Sequence, residues 1–193
     1  GTLPVAPADK KAVVALSRRG TKLMPERGDV ESLGRYGTAD TVMGQQGAGG
    51  LPTNNWDSGV MDIAAAEAIS GERLYQELLR GAEAGAQDKL GRDTCYACIV
   101  RCKRVVEAEY RDKKILPEYG GPEYETLSTF GSYCGVGDLR AISYANQLCN
   151  MYGVDSISCG ATLSWAMECY EQGVLTLEET DGIPLNYGNA EAM

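Results

Sequence analysis

Apolar residues recur at helical spacing in residues 10–23, near the start of the chain. Asp9 stands directly before this segment, in the position of an N-cap. The apolar face of the segment consists of Ala12, Val13, Leu16 and Leu23. We therefore predict a capped helix, although Gly20 weakens the helical preference of its middle.

The final third of the chain repeats this period in two longer segments. One predicted helix begins at Gly137-Asp138 and extends to Tyr152. The second covers residues 158–170, and Gly173 closes it. This part of the chain is therefore predicted to be mostly helical.

The middle of the chain contains shorter elements. Residues 63–69 and 71–80 have the composition of helices, and Ser70 precedes the second of them as an N-cap. Residues 103–110 alternate in the manner of a strand. We expect short strands here between helices.

Glycines are frequent in residues 27–55, and residues 44–55 have neither a helical nor a strand period. We predict a shaped loop over residues 44–55, with a flexible linker as the alternative. No internal repeat is present. The sequence as a whole predicts a fold that is mainly α with short strands and long loops, and we treat residues 1–193 as a single helical domain.

Composition narrows the classes of function. The 193 residues are 44% hydrophobic, enough for a folded core, and the net charge is −9. This charge repels phosphate backbones and anionic membrane surfaces, so we expect no nucleic acid and no membrane as partners. No apolar run approaches the ~20 residues of a membrane span, and the start of the chain lacks the pattern of a signal peptide. We expect a cytoplasmic protein.

The chain has seven cysteines and no histidine. An odd number of cysteines cannot all pair within one chain, so some thiols stay free or bind metal. The absence of histidine excludes Cys/His zinc sites and Ser–His–Asp triads within this chain. Acid–base chemistry is left to carboxylates, lysine, tyrosine or cysteine.

Three of the cysteines form a dense cluster: Cys95, Cys98 and Cys102. Thiols at these spacings can point to one small volume if the segment makes a turn leading into a helix, and they suit an iron–sulfur cluster or another soft metal. Zinc would require four tetrahedral ligands, and the spacing alone does not choose between zinc and a cluster. The alternative is that the cysteines are small buried apolar residues.

Basic residues surround these cysteines in an otherwise acidic chain. They are Arg92, Arg101, Lys103 and Arg104. Cations near a cluster of thiolates lower the thiol pKa values and stabilise the negative charge. A solvated basic face is the alternative interpretation.

Three motifs in order resemble the aldehyde ferredoxin oxidoreductase family. They are Asp93-x-Cys95-x-x-Cys98-x-x-x-Cys102-Lys103-Arg104, then Pro-Glu-Tyr-Glu-Thr at residues 122–126, then Gly-Val-Asp-Ser-Ile-Ser at residues 153–158. Residues 37–39, 51–55 and 166–171 are similar to the family as well. The resemblance covers nearly the whole chain.

The resemblance implies that the chain is the helical middle domain of a longer enzyme. In such enzymes a β-rich domain carries a tungsten or molybdenum bispterin, and Cys95, Cys98 and Cys102 would hold a 4Fe-4S cluster. The fourth cluster ligand would come from beyond Met193, since Cys134, Cys149, Cys159 and Cys169 match helix or loop positions. The chain opens on Gly1 without Met, and residues 190–193 resemble the start of another helix, so we expect a fragment.

The resemblance also implies a catalytic carboxylate. Glu125 matches a family glutamate beside the metal and the substrate, and Glu123 is the alternative. Conversion of an aldehyde to a carboxylate needs a group that accepts a proton near the carbonyl carbon. An ordinary surface carboxylate is the other interpretation of either residue.

The turn formed by Asn150, Gly153, Val154 and Asp155 matches the family's pterin-binding turn. Asn150 departs from the carboxylate usual at the first position, and an amide oxygen accepts hydrogen bonds less strongly than a carboxylate. The same residues are typical of a helix C-terminus with a left-handed glycine, and the two interpretations are compatible.

The implied function is oxidation of aldehydes to carboxylic acids, with electrons passed through the cluster to ferredoxin or a similar carrier. The implied partners are the remaining domains of the parent chain and a small aldehyde, and a homo-oligomer stays open. We expect the fragment alone to be inactive. The alternatives are a stand-alone iron–sulfur electron-transfer or assembly subunit and a zinc-stabilised interaction domain.

Overall fold

The computed structural model describes residues 6–193. Its first helix, α1 (Lys10–Leu23), begins at the predicted cap, where Asp9 Oδ1 accepts a hydrogen bond from the Ala12 N–H at 2.9 Å. None of the residues of α1 is buried, and Leu16, on its apolar face, is 71% exposed. The helix predicted from the apolar period is present. Within the described residues, no other element packs closely enough to bury its apolar face.

Helical structure occupies most of the glycine-rich region, in contrast to the prediction. Helix α2 (Gly28–Tyr36), a 3-10 turn (Gly37–Asp40) and helix α3 (Thr41–Ala48) follow one another, so a loop over residues 44–48 is wrong. The Gln46 amide exchanges two hydrogen bonds with the Met61 backbone, at 2.8 and 3.1 Å. These contacts outweigh the low helical propensity of glycine.

Residues 49–62 do form a shaped loop. Thr53 and Ser58 pair across it as an isolated antiparallel bridge. The Leu51 N–H also donates to the Gly59 carbonyl at 2.8 Å. The loop is therefore held by its own backbone hydrogen bonds and is not a flexible linker.

The two short helices of the middle region are present. Helix α4 spans Ile63–Ala68, and helix α5 (Gly71–Arg73) continues as a π-helical turn, Leu74–Leu78. Ser70 caps α5 as predicted, since its hydroxyl accepts from the Arg73 N–H at 3.2 Å. The helix stops short of residue 80 because Leu79 pairs with Val106 as an antiparallel bridge.

A short helix and four short strands follow. Helix α6 spans Gln87–Leu90. Strands β1 (Arg92–Asp93) and β2 (Lys103–Arg104) pair antiparallel, with Arg92 opposite Arg104. Strands β3 (Ala108–Tyr110) and β4 (Lys113–Ile115) form a second antiparallel pair. The strand-like prediction for residues 103–110 is thus confirmed in two pieces.

The final third is helical, as predicted. Helix α7 (Tyr124–Leu127) continues as a π-helical turn (Ser128–Ser132), and helices α8 (Leu139–Tyr152) and α9 (Ser156–Glu171) follow. Helix α9 begins at Ser156 rather than Ser158, because the Asp155 carboxylate caps it by accepting from the Ser158 N–H at 2.8 Å.

The buried apolar residues form one cluster, whose members run from Ala39 to Met167. Its largest fully buried side chains are Phe130, Leu51, Ile69, Leu74, Leu78, Leu79, Leu127, Ile142, Met167, Val42, Val106 and Val136. The prediction of a mainly α fold with short strands is confirmed. None of the helices in residues 6–193 combines the length and the apolar character needed to cross a membrane.

Helix α9 lies directly against the π-helical turn that follows α7. Gly160 allows this approach: a Cβ at that position would lie 2.7 Å from Thr129 Oγ1 and 2.8 Å from the Thr129 carbonyl carbon. Real Cβ atoms do not approach backbone so closely. The packing of α9 therefore depends on the absence of a side chain at Gly160.

We predict that Gly160→Ala lowers the free energy of unfolding by about 1–3 kcal/mol, because the new methyl group overpacks the contact with Thr129. The matched control is Gly44→Ala in α3, where an added Cβ meets nothing within 4 Å. Alanine there should stabilise the helix by about 0.5–1 kcal/mol. Urea unfolding of both variants measures the two changes, and changes of the same sign would contradict the close approach.

Candidate functional site

The clustered cysteines lie in the loop that joins β1 to β2. The Cys98 N–H donates to the Cys95 carbonyl at 3.1 Å, which closes the first turn. The Thr94 hydroxyl braces it by donating to the Cys98 carbonyl at 2.6 Å. Ala97 and Arg101 are left-handed, with φ of 55° and 57°. The segment turns as predicted, but it leads into a strand and not into a helix.

The three thiols differ in exposure. Cys95 is exposed, and Cys98 and Cys102 are half-buried. Burial, followed by the charge of Glu123, raises the pKa of Cys102. The donor chemistry fits a soft metal or an iron–sulfur cluster, since one loop offers three thiols. Across residues 6–193, however, no three Cys, His, Asp or Glu side chains are gathered closely enough to hold a metal ion.

The arginines near the cysteines bind backbone carbonyls. Arg104 is 2% exposed and donates to the carbonyls of residues 34, 35, 101 and 102. Arg92 donates toward the carbonyls of Val100 and Arg101. Burial, followed by the charge of Arg92, lowers the pKa of Arg104 to about 10. The interpretation as a solvated basic face is therefore wrong for Arg104, although it fits the exposed Lys103.

The two candidate glutamates, at the beginning of α7, have different surroundings. Glu125 is exposed in the first turn of the helix. Glu123 is half-buried just before the helix and accepts a hydrogen bond from the Thr38 hydroxyl, which itself accepts from the Tyr124 N–H at 2.9 Å. The carboxylate of Glu123 is therefore held in place.

The turn between α8 and α9 is exposed and internally satisfied. Gly153 is left-handed, with φ of 67°, and its N–H bonds to the Cys149 carbonyl. The Asn150 side-chain amide donates to the Asn146 carbonyl at 2.9 Å. Capping hydrogen bonds from Ser158 lower the pKa of Asp155. Val154 is exposed too, so the predicted helix end with a left-handed glycine is confirmed.

An open cavity of about 560 Å³ brings together residues from three separate parts of the chain. Lys103 and Arg104 come from β2, Glu123 from the start of α7, and Asn150 from the end of α8. Thr126, Asn146 and Ser156 also line the cavity. The sequence predicted no site role for these three, although Thr126 and Ser156 belong to the motifs at residues 122–126 and 153–158. The hydroxyls of Thr126 and Ser156 bond to each other at 2.8 Å across this cavity wall, and no sequence spacing signals that contact.

The other predicted site residues do not line this cavity. They are Cys95, Cys98, Cys102, Glu125, Gly153, Val154 and Asp155. Glu125 instead lies near Tyr124 and Tyr133, whose pKa values are raised first by burial and then in part by its charge. These residues therefore belong to neighbouring surfaces. Of the two candidate glutamates, Glu123 is the one that lines the cavity, where Asp93 and Glu118 also lie.

Beside Tyr133 the shaped loop presents an exposed tryptophan. The rings of Trp56 and Tyr133 meet edge to face at 5.6 Å. Asn54, Asn55 and Trp56 are three consecutive left-handed residues, with φ of 47°, 51° and 73°. Such residues persist only where surrounding contacts hold them, and here the N–H groups of Asn54 and Asn55 donate to carbonyls of residues 132 and 133.

The four remaining cysteines lie near or on the C-terminal helices. Cys134 and Cys149 are buried, and burial, with the neighbouring Cys159, raises their pKa values to about 12 and about 11. The Cys134 thiol donates to the Thr129 carbonyl at 3.3 Å. Cys159 and Cys169 are half-buried. Packing is thus the role that the structure gives to Cys134 and Cys149.

Comparison with known proteins gives one family for this chain. Residues 15–193 match the family described as aldehyde ferredoxin oxidoreductase, domains 2 and 3. The match includes the cysteine loop, both glutamates and the turn between α8 and α9.

Curated relatives agree with this family. The whole chain is 35% identical to a tungsten-containing aldehyde ferredoxin oxidoreductase of Thermococcus kodakarensis and 34% identical to one of Pyrococcus furiosus. It spans 29% of the length of each. Half of the chain is 32% identical to 15% of a Pyrococcus furiosus protein named aliphatic sulfonate oxidoreductase, WOR-like subunit.

We predict that alkylation of the metal-free native chain with iodoacetamide at pH 8 labels Cys95 first and leaves Cys134 and Cys149 unlabelled. Cys95 is exposed, whereas a buried thiol with a pKa of about 12 is thiolate in about one part in ten thousand at this pH. Peptide mass spectrometry measures each rate. The control is the chain in urea, where all seven cysteines should react, and equal rates for Cys95 and Cys134 in the native chain would contradict the burial.

Proposed function

Since this chain belongs to the aldehyde ferredoxin oxidoreductase family, we propose that it is part of a tungsten-dependent oxidoreductase that converts aldehydes to carboxylic acids. The observation that carries the proposal is the continuous family match over residues 15–193. The chain spans 29% of the length of its curated relatives, so the proposed activity is that of a longer protein. We expect this chain alone not to oxidise aldehydes.

The proposed cofactor is a tungsten bispterin. Two relatives are named as tungsten-containing, which favours tungsten over molybdenum. The polar cavity beside α8 supports a role in binding a pterin, because Lys103, Ser156 and Asn150 offer charged, hydroxyl and amide groups along its wall. The Asn150 amide nitrogen already donates to the Asn146 carbonyl, which leaves the amide oxygen to accept from an amino group of the pterin. Gly153, Val154 and Asp155 would continue that contact along the turn.

The second proposed cofactor is a 4Fe-4S cluster held by Cys95, Cys98 and Cys102. When bound, such a cluster takes up and releases single electrons. We propose that these pass to ferredoxin or a similar carrier. The exposure of Cys95 supports this direction, since electron carriers dock at the surface.

We propose Glu125 as the residue that accepts a proton during aldehyde oxidation. Its exposure on α7 leaves the carboxylate accessible to water and to substrate supplied by another domain. Glu123 is the alternative, but its carboxylate is already bound by the Thr38 hydroxyl. A held carboxylate suits positioning more than proton exchange.

The competing functions lead to different metal contents. A stand-alone iron–sulfur subunit would contain iron without tungsten, and a zinc-stabilised domain would be colourless. The relatives favour the enzyme over both alternatives. Two of them are named as oxidoreductases, and their similarity extends over the whole length of this chain. Metal analysis of the complete protein, purified without oxygen, tests the proposal. Zinc in place of iron and tungsten would refute it.

In the complete enzyme, we predict that Glu125→Gln lowers kcat about 100-fold or more while leaving cofactor content unchanged, because the amide keeps the shape but accepts no proton. Steady-state oxidation of an aldehyde with an artificial electron acceptor measures the change. Glu123→Gln, two positions earlier and just before the same helix, is the matched comparison. If it alone abolishes turnover, Glu123 and not Glu125 is the proton acceptor.

We predict that Cys95→Ser, Cys98→Ser and Cys102→Ser each abolish uptake of an iron–sulfur cluster by this chain. Anaerobic reconstitution of the unmodified chain with iron and sulfide should give a substoichiometric, oxygen-sensitive cluster, since three thiolates leave one iron open. Iron content and visible absorbance measure uptake. The controls are Cys134→Ser, Cys149→Ser, Cys159→Ser and Cys169→Ser, which should take up iron as the unmodified chain does. Complete loss in one of these controls would identify a fourth ligand within the chain.

A further inference from the structure

The second half of the cysteine loop rests on a buried guanidinium. The Arg104 side chain donates to the carbonyls of Cys102 at 2.9 Å and Arg101 at 3.0 Å. It also donates to the carbonyls of Gly34 at 2.9 Å and Arg35, in the last turn of α2. One side chain therefore joins the loop to the end of a helix some 70 residues earlier in sequence.

A second arginine supports the same stretch of loop. Arg92 donates toward the carbonyls of Val100 at 3.3 Å and Arg101 at 3.5 Å, and its other nitrogen pairs with Asp88 at 3.0 Å. The Arg101 side chain returns a bond of 2.7 Å to the Arg92 carbonyl. Every carbonyl from Val100 to Cys102 thus meets a guanidinium.

Two glycines allow α2 to approach this stretch. A Cβ at Gly34 would lie 2.7 Å from the Val100 carbonyl oxygen and 2.8 Å from the Arg92 guanidinium. A Cβ at Gly37 would lie 2.8 Å from Arg104 Nε and 3.0 Å from the Cys102 carbonyl oxygen. Larger residues at either position would push the loop away from the helix.

The first half of the loop is held much less firmly. Thr94 braces the Cys95–Cys98 turn through its hydroxyl, but Thr94 and Cys95 are both exposed. The loop is therefore asymmetric: its Cys102 end is anchored to a buried charge, and its Cys95 end is a solvent-exposed turn.

We propose that Arg104 is a positioning residue that presets Cys102 as the fixed ligand of the cysteine loop, on which the exposed Cys95 turn closes when metal binds. The inference rests on the proposed role of the three cysteines as ligands. It goes further by assigning an order to the ligands and a cause for that order. Cys102 is in place first because the Arg104 guanidinium holds its carbonyl, and the exposed Cys95 moves.

The physical reason lies in the geometry of arginine. Its planar guanidinium presents five N–H donors in a fixed fork, enough for four carbonyls on two segments. A lysine ammonium has three donors and no fork, so it keeps the charge but cannot hold the same four carbonyls. Groups behind a metal ligand that orient it raise metal affinity, and their loss lowers that affinity by about 10- to 100-fold.

Arg104→Lys in this chain is the first test, with Arg80→Lys as the matched control. Arg80 pairs with Glu107 at 2.9 Å on the surface. Arg80→Lys is therefore the same charge-conserving change at a side chain that binds none of the four carbonyls. In the metal-free protein, hydrogen exchange of residues 98–104 should be about ten-fold faster in Arg104→Lys. Exchange in α8 and α9 should be unchanged. A rise spread evenly over the whole chain would mean a general structural role and would overturn the proposal.

Metal affinity is measured on the same two variants with cobalt(II) alone, followed by its thiolate absorption. We expect Arg104→Lys to bind about 10- to 100-fold more weakly than the unmodified chain and Arg80→Lys to bind equally. Equal binding by all three proteins would overturn the inference and leave the cysteines as ligands. No cobalt–thiolate absorption in the unmodified chain would instead count against the cysteine site itself, so the two failures are distinct.

A second variant keeps the test decisive if Arg104→Lys does not fold. Gly34→Ala leaves both arginines intact and places its methyl against the Val100 carbonyl, whereas Gly44→Ala is an open helical position. Gly34→Ala should reproduce the local exchange and the weaker cobalt binding, and Gly44→Ala should not. If Gly34→Ala binds cobalt as the unmodified chain does, contact with α2 does not preset the loop and the proposal is wrong.

Discussion

The burial of one arginine is the constraint on which the arrangement of the site depends. A charge removed from water is costly unless every donor finds a partner. Each of the three side-chain nitrogens of Arg104 has a partner, and together they donate to four carbonyls. Two of these carbonyls belong to the last turn of α2 and would otherwise lack partners within their helix. The partial negative charge at a helix C-terminus also favours a cation there. The same side chain therefore completes a helix and fixes the backbone of a loop.

Arg104 also lines the cavity, together with Glu123. Glu123 faces both Arg104 and Cys102 closely enough to influence their pKa values, and the Thr38 hydroxyl holds it. Glu125 lies two positions later, is exposed, and stands near Tyr133 outside the lining of this cavity. The beginning of α7 thus carries a restrained carboxylate, Glu123, and an accessible one, Glu125. This division is a physical basis for giving the two glutamates different roles in the proposed reaction.

Local sequence signals predicted the capped elements well. Asp9, Ser70 and Asp138 each accept hydrogen bonds at a helix start, because capping depends on residues within a few positions. Long-range contacts were not predictable in this way. The helix at residues 44–48 depends on bonds between Gln46 and Met61, and the exposure of α1 depends on what packs against it. Neither is encoded in local periodicity.

The candidate site shows the same division between local signals, which were predictable, and long-range contacts, which were not. The sequence predicted the turn at Cys95 and Cys98 and the helix end at Gly153, and both are present. The role of the three cysteines as ligands stays a prediction. The cavity could not be predicted, since its residues come from β2, α7 and α8 and meet only in the fold. The role of Arg104 was missed for a related reason. Sequence shows a positive charge beside the cysteines, whereas its acceptors are neutral carbonyls of a distant helix.

The exposed Trp56 has a consequence for spectroscopy of this protein. The chain has two tryptophans, Trp56 and Trp165, and their side chains are already 67% and 59% exposed in the native fold. Unfolding therefore changes the polarity around either indole only modestly, and the emission maximum is a poor reporter of global denaturation. The same property makes the two indoles sensitive to anything that covers them. A partner that binds over Trp56, beside Tyr133, or over Trp165, on α9, should shift the native emission to shorter wavelength without changing the circular dichroism.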